Sequence, residues 1–361
     1  MKETLWDRIR ARFFYSNLAT GISVVSAFLI AVAAVYLIDW GVLRAVFRAD
    51  PEACYASHGA CWGFVTEKWR LVLFGRYPYD DQWRPALATL LIIAMLILSA
   101  CPRFWTRRGA RGILAGWAAA LAAFFALMYG GFAGMKYVAT DSWGGFPLTV
   151  ILTLLGIGVS TPIGIVLALG RRSKLPVVRF LSTGYIELVR GVPLITVLFV
   201  ASFVFPLLLP SGVRIDPFWR VAGGIILFQA AYMAETVRGG LQTIKAGQYL
   251  AADSLGLSAF QKYVHVILPQ ALVAVIPSFV NNLLSMFMDT SLVTVVSMFD
   301  LTGSLQLALG DAAWRDFFRE GYIFVAAIYF ICSFMMSRYS QWLENRLQDG
   351  TRRRPAALRA Q

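Results

Sequence analysis

The stretch Ser142–Gly170 reads SWGGFPLTVILTLLGIGVSTPIGIVLALG and contains no Asp, Glu, Lys or Arg. A helix needs about 20 consecutive apolar residues to cross the hydrocarbon core of a bilayer. This stretch is long enough for one crossing, and it predicts a transmembrane helix.

Seven further stretches on either side of it have the same character. They are Ser16–Ile38, Pro85–Pro102, Gly112–Met135, Gly191–Val213, Val221–Ala234, Tyr263–Met288 and Gly321–Ser337. Val221–Ala234 is short, but it reaches full length if Pro217 opens the helix and Arg238 lies at its far end. Thr290–Gly310 is interrupted by Asp300 and is predicted to be re-entrant or a loop. We therefore predict an all-α membrane protein with about eight transmembrane helices.

The overall composition agrees with a membrane protein. Hydrophobic residues make up 58% of the chain and charged residues only 15%, against about 25% charged in soluble domains. The net charge is +13, but the basic residues lie between the apolar stretches rather than in one domain. No patterned basic face is present, so nucleic-acid binding is not predicted.

The basic residues predict the orientation. With a cytoplasmic N-terminus and eight crossings, 22 of the 33 Lys and Arg residues fall on the inner side, as cytoplasmic loops require. Both termini are then cytoplasmic, and the loop of about residues 40–84 lies outside. Cys54 and Cys61 share that loop, where they either form a disulfide or remain two free thiols. The chain has no C-x-x-C pair and only two histidines, so we predict no metal site and no catalytic residues.

The most informative loop lies between the sixth and seventh predicted spans, at about residues 239–270. Leu250–Leu255 contains good helix formers, and Gly256 suits the left-handed residue that ends a helix. Ala259–Val266 can form a second short helix, and Pro269 marks a kink or a helix start. From the residues alone, this loop is either a docking element for a partner or simply a long connection.

The spacing in this loop resembles the EAA loop of type I ABC importer permeases, and we call residues 239–270 the EAA-like loop. Five positions match the family pattern, Val266 stands where Ile is usual, and Leu250 occupies the glutamate position. The matching residues are Ala251, Ala252, Gly256, Leu268 and Pro269. The resemblance implies a coupling helix that fits a groove on an ATPase subunit. Asp253, one turn further on, is a candidate substitute for the missing carboxylate.

Flanking segments extend the resemblance to the polar amino-acid permeases. They are Tyr185–Leu194, Ala234–Gly240 and Asp289–Leu292, while Gly59–Trp62 and Phe74–Tyr79 are similar to the longer permease subunit of general L-amino-acid uptake systems. The resemblance implies a three-span extension at 1–141, a five-helix permease core at 142–343 and a basic cytoplasmic tail at 344–361.

The same resemblance implies partners in a bacterial inner membrane. They are a second permease subunit, two ATP-binding subunits, a periplasmic amino-acid-binding protein and membrane lipid. The chain has no G-x-x-x-x-G-K-[ST] motif, so we expect ATP and Mg on the partner ATPase and no cofactor here. One alternative is an ion-coupled secondary amino-acid transporter, although no convincing internal repeat is found. A membrane-bound enzyme would need a cluster of polar catalytic residues that is not evident.

Polar side chains within the predicted spans are candidates for a substrate path, because they are costly in a membrane. The candidates are Glu235, Asn281, Asn282, Asp289, Thr290 and Ser291. Each has a structural alternative. Glu235 can pair with Arg238 three residues later, the asparagines can bond across helices, and the last three can cap the next helix.

Overall fold

The structure, a computed structural model, describes residues 11–357, with side chains at 11–106 and 108–346. The chain divides into two compact units. The first comprises Met1–Trp69 and Leu309–Phe324, and the second comprises Arg70–Ala308 and Val325–Gln361.

Most of the described chain is α-helical. The helices are α1 (Asn17–Ile38), α2 (Pro51–Ala56), α3 (Gly63–Phe74), α4 (Trp83–Ala100), α5 (Arg107–Tyr129), α6 (Gly145–Arg171), α7 (Pro176–Arg190), α8 (Leu194–Phe199), α9 (Phe205–Leu207), α10 (Pro217–Thr243), α11 (Ala246–Ser254), α12 (Ala259–Gln261), α13 (Leu268–Ala274), α14 (Ile276–Asp289), α15 (Leu301–Ala308) and α16 (Phe318–Ala357). π-helical turns occur at Asp39–Leu43, Val200–Val204 and Lys262–Ile267, and a two-residue strand, β1, occurs at Phe299–Asp300.

The predicted all-α membrane fold with about eight helices is confirmed. Within the described residues, six helical segments are long and apolar enough to cross a bilayer, and the bent pair α7 and α8–α9 can supply a seventh. The eighth long segment is α10, whose 27 residues give a length of about 40 Å. It includes polar residues such as Gln229 and Glu235, and much of its surface is buried by protein.

Helix α1 illustrates how a local sequence signal sets a helix boundary. Ser16 accepts a hydrogen bond from the backbone N–H of Ala19 at 3.2 Å, so it caps the first turn. None of the residues of α1 is buried. Its apolar side chains are therefore available to lipid, while its backbone groups are satisfied within the helix.

The predicted seventh span, Tyr263–Met288, has the wrong boundaries. The helical segment that is long and apolar enough to cross a bilayer is Ile276–Val296, and the preceding residues form a π-helical turn and the short helix α13. Pro269 and Pro277 each lie in the first turn of a helix, where a missing N–H is tolerated. Thr290–Val296, predicted as re-entrant or loop, is a 3-10 continuation of α14. The reason for the difference is that prolines at helix starts divide an otherwise continuous apolar stretch.

The centre of the second unit is the packing of α6 against α10. A Cβ added at Gly164 would lie 2.8 Å from the backbone nitrogen of Ala234, and one at Gly156 would lie 2.9 Å from a side-chain methyl of Ile225. The two glycines therefore allow the helices to approach closely, as small residues do in membrane bundles.

The first unit is held together by one local disulfide and by contacts between residues far apart in sequence. Cys54 and Cys61 form a disulfide, with Cα atoms 5.4 Å apart. The backbone N–H of Cys61 donates a 2.8 Å hydrogen bond to Glu320. Lys68 and Asp311 form an ion pair at 2.7 Å. The hydrogen bond and the ion pair join Cys61 and Lys68 to the segment 309–324.

Candidate functional site

The EAA-like loop forms two short helices around a tight turn. α11 ends at Ser254, and Gly256 adopts a left-handed φ of 69°, which glycine accepts without steric cost. Ser258 then begins α12 with a capping box. Its hydroxyl accepts from the N–H of Gln261, and the Gln261 side chain accepts from the N–H of Ser258. The turn is therefore fixed by its own sequence.

One side of this loop packs against the end of α10. Ala252, Ile267 and Ala271 are buried, the last two in a cluster that includes Ala234 and Val237 of α10. The small side chain at Ala252 thus corresponds to a close contact. Because α10 and the loop share this packing, a displacement of the loop must disturb the end of α10.

The other side of the loop is exposed and apolar. Leu250 is 66% exposed, Leu255 is 78% exposed and Phe260 is 74% exposed. Asp253 accepts a 2.5 Å hydrogen bond from Lys262, which joins the two arms of the turn. The Asp253 carboxylate, predicted as a substitute for the missing glutamate, therefore has a partner within its own loop. Leu250 itself makes the loop more apolar where the family has a charge.

A second candidate site is a cavity of about 420 Å³ in the second unit. It is lined by polar groups from three helices and by the junction between α13 and α14. The lining residues are Arg190, Tyr232, Glu235, Thr236, Gly239, Thr243, Ala274, Val275, Ser278 and Asn282. We call it the α10–α14 cavity.

Glu235 lies at the centre of a charged cluster beside this cavity. The Nε of Arg238 donates to both of its carboxylate oxygens at 2.9 Å. Arg171 and Arg190 approach the same carboxylate to 3.5 and 3.8 Å. Arg171 also pairs with Glu187 at 2.8 Å. Three guanidinium groups therefore face two carboxylates, which leaves the cluster with a net positive charge.

The structure brings together only some of the predicted substrate-path residues. Asn282 lines the α10–α14 cavity with Glu235 and donates a 2.7 Å hydrogen bond to Thr236. Asn281 is exposed and does not line this cavity.

The predicted residues at the end of α14 also lie elsewhere. Asp289, Thr290 and Ser291 do not line the cavity. Thr290 donates to the carbonyl of Phe287 at 2.8 Å, and Asp289 makes no side-chain capping bond to the 3-10 segment that follows it.

Sequence reasoning missed several residues around Glu235. Arg171 and Arg190 end separate helices, and Tyr232 and Ser278 lie on two further helices. Arg190 lies in the segment Tyr185–Leu194, which resembles the polar amino-acid permeases. That resemblance was the one sequence signal for any of these residues. These residues lie on four helices, α6, α7, α10 and α14. Helix packing, rather than spacing along the chain, brings them together.

Comparison with known proteins identifies the class. Residues 160–349 match the family described as binding-protein-dependent transport system inner membrane component. This match covers more than half of the chain, and the chain belongs to this family.

Its relatives include amino-acid permeases. The chain is 47% identical over 316 residues to the inner membrane amino-acid ABC transporter permease protein YhdY of Escherichia coli, covering 87% of this chain and 85% of that protein. It is 36% identical to the glutamate/glutamine/aspartate/asparagine transport system permease protein BztC of Rhodobacter capsulatus, covering 94% and 93%. A crystal structure of an amino acid ABC transporter is 29% identical, with a TM-score of 0.50, and covers 56% of this chain and 92% of that one.

Proposed function

We propose that the chain is the transmembrane permease subunit of an ATP-driven, binding-protein-dependent amino-acid importer. Family membership supports binding-protein-dependent transport. Amino acids are supported as substrates by the names of two relatives that align with most of the chain, one of which transports glutamate, glutamine, aspartate and asparagine.

The observation that carries the proposal is the construction of the EAA-like loop. Ala252 and Ile267 anchor it, and its exposed side presents Leu250, Leu255 and Phe260. Exposed apolar side chains on a rigid element are typical of a protein-binding surface. We infer that an ATP-binding subunit covers them, and that nucleotide-driven movement reaches α10 through the buried side.

The α10–α14 cavity is the proposed substrate path within this subunit. An amino acid carries a carboxylate, which the Arg190 guanidinium and the net positive charge of the cluster around Glu235 would attract into the cavity. Asn282 and Ser278 add neutral hydrogen-bonding groups. Glu235 lies eight residues before the end of α10, about 12 Å along the axis, so the cavity is close enough to respond to the loop.

The remaining partners follow from the same proposal. A second permease subunit completes the path, two ATPase subunits bind ATP and Mg, and a periplasmic binding protein delivers the amino acid. The chain lies in the bacterial inner membrane with both termini cytoplasmic, and the EAA-like loop faces the ATPases.

The test is co-purification from native membranes followed by uptake in proteoliposomes. We expect a nucleotide-binding subunit in the complex, and glutamate uptake that requires internal ATP and the binding protein. Leu255→Ser should reduce recovery of the ATPase, whereas Leu175→Ser, at another exposed leucine on the predicted cytoplasmic side, should not. Uptake driven by a sodium or proton gradient without an ATPase would instead support an ion-coupled transporter.

A further inference from the structure

A second cavity lies at the opposite end of α10 from the EAA-like loop. Its volume is about 640 Å³, and it is formed by the connection between α9 and α10 together with the first turn of α10. Two arginines line it, Arg214 and Arg220. Arg220 and Glu235 are 15 residues apart on one helix, about 22 Å along its axis. The two cavities are therefore separate sites, near opposite ends of α10.

Arg220 is held by a hydrogen bond to a backbone carbonyl of the segment that precedes α9. Ser202 lies in the π-helical turn Val200–Val204, and Pro206, which follows this turn, has no backbone N–H to donate to its carbonyls. Arg220 Nη1 donates to the Ser202 carbonyl at 2.5 Å. Its Nε is buried and has no hydrogen-bond partner in the described part of the chain. One donor of the guanidinium is thus used by the protein, while another remains unsatisfied.

The other charged groups leave the cavity basic. Arg214 has neither an ion pair nor a side-chain hydrogen bond among the described residues. Asp216 is the one carboxylate in the lining, and it is already engaged. It accepts from the Thr140 hydroxyl at 2.7 Å and from the backbone N–H of Phe218 at 2.9 Å, capping α10. The cavity therefore attracts an anion but offers no free carboxylate for an ammonium group.

The side chains beside the cavity are those of a membrane boundary. Leu207 is 82% exposed and Leu208 is 76% exposed on the segment that ends α9. Trp219, next to Arg220, is also exposed, and tryptophan is enriched at the level of lipid headgroups. Exposed leucines suit acyl chains, and adjacent basic groups suit a headgroup phosphate.

We propose that the Arg214–Arg220 cavity binds the phosphodiester headgroup of an anionic phospholipid. The two guanidinium groups contact the phosphate oxygens, and the acyl chains lie along the exposed leucines. A zwitterionic lipid or a free amino acid fits less well, because the only lining carboxylate is occupied. This site is independent of which solute the subunit transports.

The test is native mass spectrometry of the purified transporter with phosphatidylglycerol or phosphatidylethanolamine of the same acyl chains. We expect preferential retention of phosphatidylglycerol. Arg214→Gln should reduce its retention about tenfold, as the loss of a charge-assisted contact implies, and Arg220→Gln at least as much. Arg48→Gln is the matched control, because Arg48 is an exposed arginine on the same predicted outer side and does not line the cavity.

Arg214→Gln also controls for folding. Arg220→Gln removes the hydrogen bond to the Ser202 carbonyl, whereas the Arg214 side chain makes no hydrogen bond or ion pair with the described residues. The thermal unfolding midpoint of Arg214→Gln should equal that of the unmodified protein. Equal retention of the two lipids, an equal loss in Arg48→Gln, or displacement of the bound lipid by millimolar glutamate or inorganic phosphate would each overturn the proposal.

Discussion

The Lys262 ammonium donates a 2.5 Å hydrogen bond to the Asp253 carboxylate across the turn at Gly256. The pair joins α11 to the π-helical turn that follows α12, so it links the two arms of the EAA-like loop. The Asp253 side chain is 53% exposed and the Lys262 side chain is 18% exposed, and an ion pair with one partner open to solvent stabilises a protein by only about 0–1 kcal/mol. We therefore expect the pair to affect the geometry of the turn more than global stability.

Asp253→Asn tests whether this carboxylate contributes to coupling. We expect almost unchanged thermal unfolding but less substrate-stimulated ATP hydrolysis in the assembled transporter. Lys262→Gln should have the same effect if the pair acts by holding the turn. The double variant should then be no worse than either single variant. Unchanged coupling in both single variants would remove the proposed role of Asp253.

Gly256→Ala tests the left-handed residue of the turn. There is open space around the added Cβ, but the φ of 69° is unfavourable for alanine, at a cost of about 1 kcal/mol. We expect a lower unfolding temperature and weaker binding of the ATPase subunit. Gly247→Ala is the control, since Gly247 is helical, has equal space and should be neutral or stabilising. Similar losses in the two variants would contradict this explanation.

Asn282→Ala tests the proposed substrate path. It removes the hydrogen bond to Thr236 and one polar group of the α10–α14 cavity. We expect the initial rate of amino-acid uptake to fall roughly five- to tenfold, the effect of one lost hydrogen bond, while the amount of assembled complex is preserved. Asn281→Ala changes the adjacent exposed asparagine and should leave uptake unchanged. The path is misplaced if Asn281→Ala is the more damaging substitution.

The disulfide in the first unit can be tested by removing it. Cys54→Ala combined with Cys61→Ala opens a loop with a sequence separation of 7, which should destabilise this unit by about 2–3 kcal/mol. Limited trypsin digestion should then cut faster at Arg44 and Arg48. Cys101→Ala alters a free cysteine and should leave digestion unchanged. Equal digestion rates with and without reductant in the unmodified protein would argue against the disulfide.

The Lys68–Asp311 pair predicts an acid-sensitive contact in the same unit. The hydrogen bond from Lys68 is the main reason that the pKa of Asp311 is lowered. Its stabilising contribution is therefore present above the normal carboxyl pKa and is lost as pH falls through the lowered value. Digestion of this unit by an acid-active protease should accelerate over that range. Lys68→Met should reduce the acid sensitivity, and no difference between the two proteins would exclude this pair as its cause.

The sequence predicted some helix boundaries correctly and others incorrectly. Ser16 was sufficient to begin α1, and Gly256 was sufficient to end the first arm of the turn, because each acts on its nearest neighbours in sequence. The stretch Tyr263–Met288 was predicted as one span because it contains no Asp, Glu, Lys or Arg. The structure instead begins new helices at Leu268 and Ile276, where the two prolines are tolerated.

The sequence by itself determined that this is a helical membrane protein, since apolar stretches of sufficient length leave the backbone few alternatives in a bilayer. Its motif spacing also identified the EAA-like loop. Only the tertiary structure showed that Arg171 and Arg190 join Arg238 at the carboxylate of Glu235, and that Arg220 reaches the backbone carbonyl of Ser202. Those contacts join residues on different helices, and helix packing, rather than local spacing, brings them together.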